Sequence, residues 1–443
     1  MKINNLLLLG ATATTTTSVL AAQPNIILIM ADDLGSGNIG CYGSDYIDTP
    51  NIDRLAAEGI KFTDYHTNGS VSSPTRAALM TGRYQQRCGI DMVISAANHR
   101  HVGVPQEEYT LAEAFKDQGY TTAIFGKWHL GYAEKFNPIH QGFDHFEGYV
   151  AGNVDYHSHL DLVNIHDWKH GTEEVREEGY TTDLITAKAV KFIEEHQSEP
   201  FFLYVPHEAP HSPLQGRNSP IQRYEEGATK DTTKVETKSK KELYKEMIEV
   251  LDEGVGSIID RLESLGLAEN TIVIFTSDNG ATQQGSNAPY RGTKGTFFEG
   301  GHRVPFIVWS PGATLAPTAP YTYDSTVISM DLLPTLISMV GGELPKSVTQ
   351  RLDGIDILPH LLKGKALPSR DLYWNNSSGW SAMRSGNWKF VKNKDISYLF
   401  DLSTDVAESK NLAGIESKKA VAMSRALVKW RERVTPAEAA PLQ

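Results

Sequence analysis

Asn25-Ile26-Ile27-Leu28-Ile29-Met30, followed almost at once by Asp32-Asp33-Leu34-Gly35, decides the fold of this 443-residue chain. The run carries no charge, is too short for a stable helix and is rich in β-branched isoleucine. It suits a strand buried on both faces, the usual situation of a strand in a parallel sheet. Thr121-Thr122-Ala123-Ile124-Phe125, Phe201-Phe202-Leu203-Tyr204-Val205 and Thr271-Ile272-Val273-Ile274-Phe275-Thr276 read the same way. Helical patterns lie between them at 51–57, 110–117, 182–195 and 241–265. The last carries Leu243, Met247, Val250, Leu251, Val255, Ile258, Ile259, Leu262 and Leu265 mostly at three- and four-residue spacing, and Gly266 stops it. This alternation predicts an α/β fold with a large, mostly parallel sheet flanked by helices.

A hydrophobic content of 40% and a charged content of 22% describe a soluble globular protein. The length allows one large domain and a smaller one. A net charge of -12 excludes general affinity for nucleic acid, yet leaves room for a cationic pocket that takes a small anion. At the N-terminus, Lys2, the apolar stretch from Leu6 to Ala11 and the small residues Val19-Leu20-Ala21-Ala22 predict a signal peptide over 1–22, and so export to the periplasm or beyond the cell. No later stretch is long and apolar enough for a membrane span. Cys41 and Cys88 are the only cysteines, either bridged or free. From Gln215 to Lys240 the chain is polar and reads as an exposed loop. Beyond about Lys365, short aromatic runs at 372–374, 388–391 and 398–402 predict a small antiparallel sheet, then a terminal helix over 417–434. The expected organisation is a main domain over 23–364 and a C-terminal subdomain over 365–443, with nothing to set an oligomeric state.

Ligands of open α/β sheets bind beyond the carboxyl ends of the strands. Here those ends carry Asp32 and Asp33, Lys127 and His129, His207 and His211, and Asp278 and Asn279. The two acidic pairs offer hard oxygen donors, which favours Ca²⁺ ahead of Mg²⁺ and disfavours zinc. Lys127, His129, His211 and Lys294 supply positive charge and proton transfer around a tetrahedral anion. Ser72-Ser73-Pro74-Thr75-Arg76-Ala77-Ala78-Leu79-Met80-Thr81-Gly82 adds a candidate nucleophile. Pro74 presets a helix start, so Ser72 falls near the positive end of the helix dipole, four residues before Arg76. An ordinary Ser-Ser N-cap is the plainer reading of the same run.

That run resembles the sulfatase signature, in which Cys or Ser is followed by any residue, Pro, any residue, Arg, four residues and Thr-Gly. Blocks similar to those of the family recur in order through Asp32-Asp33-Leu34-Gly35, Thr49-Pro50-Asn51, Gly126-Lys127-Trp128-His129, Ala209-Pro210-His211 and Thr276-Ser277-Asp278-Asn279-Gly280. The resemblance implies an alkaline-phosphatase-like catalytic domain and conversion of residue 72 to formylglycine, whose hydrate attacks sulfur. It implies calcium bound by Asp32, Asp33, Asp278, Asn279 and residue 72. Arg76 would orient the hydrate, Lys127 and His129 would hold and activate it, and His211 and Lys294 would grip sulfate and assist the leaving alcohol. Serine at 72 implies a radical-type formylglycine-forming maturase as partner, or a Cys replacement that leaves the enzyme inactive. Export points to a sulfated carbohydrate substrate, a carrageenan-like galactan or a glycosaminoglycan. His207, His157 within Asn153–His159 and the Trp374–Trp380 segment are candidates for sugar contacts. The rival readings are a phosphatase or phosphodiesterase using unmodified Ser72, and a catalytically silent binder of sulfated glycans.

Overall fold

Alternation within the Asn25–Ala31 strand fills two cores at once. Ile26, Leu28 and Met30 point into one layer with Phe62, Leu79, Phe115 and Phe202. Ile27, Ile29 and Ala31 point into the opposite layer with Leu55, Phe192, Met247, Leu251 and Val255. This is why the run is apolar from Ile26 to Ala31: a strand with a core on each face has no side facing water. Each large apolar side chain so buried contributes about 1.5–3 kcal/mol relative to exposure.

The computed structural model describes residues 23–230, 233–312, 321–363 and 367–435. The Asn25–Ala31 strand lies between Phe201–Pro206 and Thr271–Ser277 and runs parallel to both. Thr121–Lys127 and His145–Tyr149 continue the parallel order on one side. Phe306–Trp309 joins Thr271–Ser277 antiparallel on the other. Among the described residues the main sheet has ten strands, with helices on both faces. No described helix is long and apolar enough to cross a membrane.

Helix starts follow local chemistry. Ser239 and Glu242 form a capping box on the Lys240–Ser264 helix, and Thr110 and Glu113 do the same for Leu111–Asp117. Asp252, midway along the long helix, accepts from the Asn51 and Ile52 amides and so caps the Pro50–Glu58 helix. The helix at 72 departs from expectation. It spans Ser72–Thr81, two residues earlier than Pro74 suggests, and its N-cap is extended Val71 with no side-chain cap. Neither serine caps: Ser73 Oγ accepts from the Ile94 amide at 3.0 Å. All ten residues of this helix are buried.

Other expectations also meet the structure. The signal peptide over 1–22 and the boundary at 364/365 fall outside the described residues. Cys41 and Cys88 are free thiols. The Gln215–Lys240 stretch is largely exposed, but its first third is pinned. The Asp155 carboxylate accepts from Gln215 Nε2 and from the Gln222 and Arg223 amides.

The C-terminal sheet is antiparallel and four-stranded, in the order Asp371–Asn375, Trp380–Ser385, Trp388–Asn393, Ile396–Asp401, and the Ser417–Val434 helix packs on it. Trp380–Ser385 is a strand the aromatic runs did not announce. Trp374 does not face a sugar: it is fully buried and donates through Nε1 to the Thr67 carbonyl. Trp380 packs edge-on against Phe298. These aromatics fill the junction between the two sheets.

Charge also crosses that junction. Lys389 Nζ lies 2.7 Å from Glu299 Oε1 and 3.1 Å from Glu408 Oε1, with all three side chains sealed from water. Glu408 also accepts from the Glu299 amide at 2.6 Å. Burial opposes ionisation of Glu299, but Lys389 and the nearby arginines outweigh it and hold the carboxyl well below its usual range. Lys389→Met would leave Glu299 with Arg303 at 2.9 Å and Glu408 buried with no ion-pair partner among the described residues. A loss of about 3–5 kcal/mol is expected, read by urea denaturation, and an unchanged midpoint would refute the assignment.

Candidate active site

Parallel pairing brings the carboxyl ends of neighbouring strands to one edge, and the polar residues that follow them meet there. Ser72 Oγ donates to Asp32 Oδ1 at 3.3 Å and accepts from Lys127 Nζ at 3.2 Å. Lys127 also pairs with Asp32. Arg76, one helical turn beyond Ser72, donates through Nε and Nη2 to Asp278 Oδ2 at 3.1 and 2.9 Å, and through Nη1 to the Lys127 carbonyl at 3.0 Å. Lys294 Nζ lies 2.7 Å from Asp33 Oδ1. Asn279 Nδ2 donates to the same oxygen at 2.6 Å, and His211 Nε2 lies 3.7 Å from Asp33 Oδ2.

Three carboxylates thus face Arg76, Lys127 and Lys294, nearly all out of water. Burial alone would favour neutral Asp32 and Asp33. Lys127, His211 and Arg76 reverse that for Asp32, and Lys294 and His211 for Asp33, so both carboxyls sit below their usual range. Burial lowers Lys127, against the pull of Asp32. Lys294, held by Asp33 and Asp32 against burial, keeps its proton more firmly than usual. Burial and the charge of Lys294 lower His211. Burial, Lys127 and Arg76 drive His129 well below its usual value, so its ring is neutral. His129 Nε2 meets the Ile94 carbonyl at 3.1 Å, which fixes the hydrogen there. Its buried Nδ1 has no hydrogen-bond partner among the described residues.

Two of these residues adopt a backbone that side chains disfavour: Asp33 has φ 65° and His129 φ 59°. Gly152 lets the chain pass close over the His129 ring, since a Cβ there would meet Nε2 at 2.6 Å. The donor set suits a hard cation. Asp32, Asp33 and His211 each offer an atom within 4.8 Å of one another, and Asn279 Oδ1 is a buried oxygen with no hydrogen-bond partner among the described residues. His211 in that group is an addition to the oxygen-only set drawn from sequence.

A cleft of about 130 Å³ opens onto Ser72, His129, His211 and Lys294. Its outer wall is Tyr132, Asn153, Leu162 and the loop from Val93 to Ala96. Asn153 comes from the segment singled out in the sequence. Tyr132 lies just past His129, so the strand-end argument reaches it, whereas the 93–96 loop and Leu162 carry no local signal. His207 does not line this cleft. It is fully buried, burial pushes its ring down to about 3, and neither ring nitrogen has a hydrogen-bond partner among the described residues. His157 turns away as well, pairing through Nε2 with the Gly216 carbonyl at 3.1 Å and packing on Tyr180.

Proteins named as sulfatases share this sequence pattern and fold. The profile of the Sulfatase family matches residues 24–342. The N-acetylgalactosamine-6-sulfatase of Mus musculus is 32% identical over 422 residues, covering 88% of this chain and 76% of its own length. Arylsulfatase A of Homo sapiens is 33% identical, covering 89% of this chain and 84% of its own. The crystal structure of Ps i-CgsB in complex with k-i-k-neocarrahexaose superposes with a TM-score of 0.81 at 31% identity, over 92% of each chain. A sulfatase from the glycosaminoglycan metabolism of Bacteroides thetaiotaomicron gives a TM-score of 0.77 at 26% identity, over 93% of this chain and 100% of its own. With its strand-end cluster and buried serine helix, the chain belongs to the sulfatase family of sulfuric ester hydrolases.

Proposed function

We propose that this protein removes sulfate from a sulfated polysaccharide or oligosaccharide, a carrageenan-like galactan or a glycosaminoglycan, with residue 72 acting as formylglycine and calcium as the metal. The observation that carries this reading is the seat of residue 72. Its side-chain oxygen lies between Lys127 Nζ and Asp32 Oδ1, at the head of a buried helix that also presents Arg76. The k-i-k-neocarrahexaose bound by Ps i-CgsB supports the substrate class.

Asp32, Asp33, Asp278, Asn279 and residue 72 would hold Ca²⁺, which when bound supplies charge that neutralises sulfate oxygens and favours an ionised nucleophile. As formylglycine, residue 72 would supply a hydrated aldehyde, with one hydroxyl as nucleophile and the other as the means of releasing sulfate. Arg76, fixed by Asp278, orients residue 72 and keeps a positive charge beside it. Lys127 holds the residue 72 oxygen and offsets charge that builds on it. His129 accepts a proton at Nδ1, the nitrogen its bond to Ile94 leaves free. Lys294 keeps its proton beside Asp33 and bridges sulfate and leaving oxygen. His211, neutral beside Lys294, gains its proton as sulfate brings negative charge opposite it, and then protonates the departing alcohol. Residues 1–22 direct export, and a radical-type maturase converts Ser72 before the helix is sealed.

Mass spectrometry of the residue 72 peptide, from cells with and without a serine-type maturase, should show a species lighter by one H₂ only when the maturase is present. Loss of sulfate release in the unconverted material should accompany it; equal activity in both would favour the unmodified-serine phosphatase chemistry. His211→Ala and Lys294→Ala should each lower kcat by about 10²–10⁴-fold. Unchanged turnover in both would remove them from the leaving-group side. Chelation should abolish activity and Ca²⁺ should restore it better than Mg²⁺, as followed by sulfate release.

A further inference from the structure

The cleft over residue 72 does not end at His211 and Lys294. Pro210 and Ser212, which flank His211, line a second depression of about 460 Å³ together with Gln222, Lys238 and Lys240. A third, of about 410 Å³, contains Tyr46, Lys241 and Ser286. Gln284 belongs to the walls of both. The segment leading to Lys294 also forms part of these walls, and the Lys294 amide donates to the Ala281 carbonyl at 3.1 Å. The three hollows therefore follow one another along the strand-end face. The chemistry at residue 72 uses only the first.

The lining is selective. In a chain of net charge -12, residues 230–245 hold Lys230, Lys234, Lys238, Lys240, Lys241 and Lys245 against Asp231, Glu236 and Glu242. Lys238 is paired with Glu246 at 2.6 Å. Lys240 and Lys241, the first two residues of the long helix, are exposed and form no ion pair among the described residues. Lys241 Nζ stands 4.1 Å from the centre of the Tyr46 ring, and Tyr46 is 40% exposed. Asp45 beside it is the acidic group of that hollow. A half-exposed aromatic face, a primary amide and two unpaired ammonium groups in one groove match a sugar ring that carries a sulfate. The ring's C–H face takes the tyrosine, the amide takes hydroxyls and the lysines take the anion.

We propose that this groove binds a second sulfated sugar of a chain-like substrate, with Lys240 and Lys241 meeting its sulfate and Tyr46 and Gln284 its ring. The inference rests on the sulfatase reading above and deepens it: the substrate is a multiply sulfated oligosaccharide or polymer, extending past Lys294 toward Tyr46.

The test uses the matured full-length protein, a Lys240→Glu/Lys241→Glu double variant and Tyr46→Ala. The probes are k-i-k-neocarrahexaose, a chondroitin sulfate hexasaccharide, desulfated neocarrahexaose and 4-nitrophenyl sulfate. Calorimetric Kd values are measured for the sugars, and kcat and KM for the aryl sulfate, which is too small to reach the groove. At least one sulfated hexasaccharide should bind, about tenfold or more weaker in each variant, with the lysine-dependent part fading as salt rises. Aryl sulfate kinetics should not change. Equal hexasaccharide affinity in all three proteins would overturn the proposal. So would equal binding of the desulfated sugar, absence of binding by both sulfated hexasaccharides, or a matching loss with aryl sulfate. If the affinity pattern holds while no protein releases sulfate from any probe, the groove stands and the catalytic reading falls.

Discussion

Three carboxylates buried at the ends of adjacent parallel strands repel one another, and the rest of the centre is arranged around that repulsion. Asp32 and Asp33 follow one strand and Asp278 the next, so the sheet itself enforces their proximity. Ionised acids at such spacing persist only where cations accompany them. Arg76 comes from the buried helix, Lys127 from a strand end and Lys294 from the loop after Asn279. The same positive groups that make the acids tolerable form a surface suited to a tetrahedral anion. Structural necessity and chemical usefulness coincide in these side chains.

Much of this was legible in the sequence, and for stated reasons. Strands with a core on both faces are apolar through their middles, so Asn25–Ala31, Thr121–Lys127, Phe201–Pro206 and Thr271–Ser277 announce themselves. Their polar ends then mark the site. Illegible features depend on direction and on distant partners. His207 follows a strand as His211 does, yet only the fold decides that one ring is entombed and the other faces Asp33. Trp374 looks like a sugar platform until the C-terminal sheet turns it inward onto Thr67, and Trp380, half-buried, packs against Phe298. The plain Ser-Ser cap failed because extended Val71 already turns the chain into the helix, which frees Ser73 to hold the 93–96 loop.

Local charge and overall charge point in opposite directions here. An acidic surface keeps the molecule apart from other anions, while the lysines near the start of the long helix present a limited positive field beside the cleft. Attraction confined to one face orients an incoming polyanion, and screening by salt shortens its reach.

The Lys389–Glu299–Glu408 junction has a consequence for timing. Glu299 is gripped by residues that lie 90 and 109 positions later in the chain, so these two contacts form only after most of the polypeptide has been made. Ser72 emerges early in synthesis, yet in the finished molecule it is only 2% exposed. The seclusion of that serine is therefore a property of the folded molecule and not of the nascent chain.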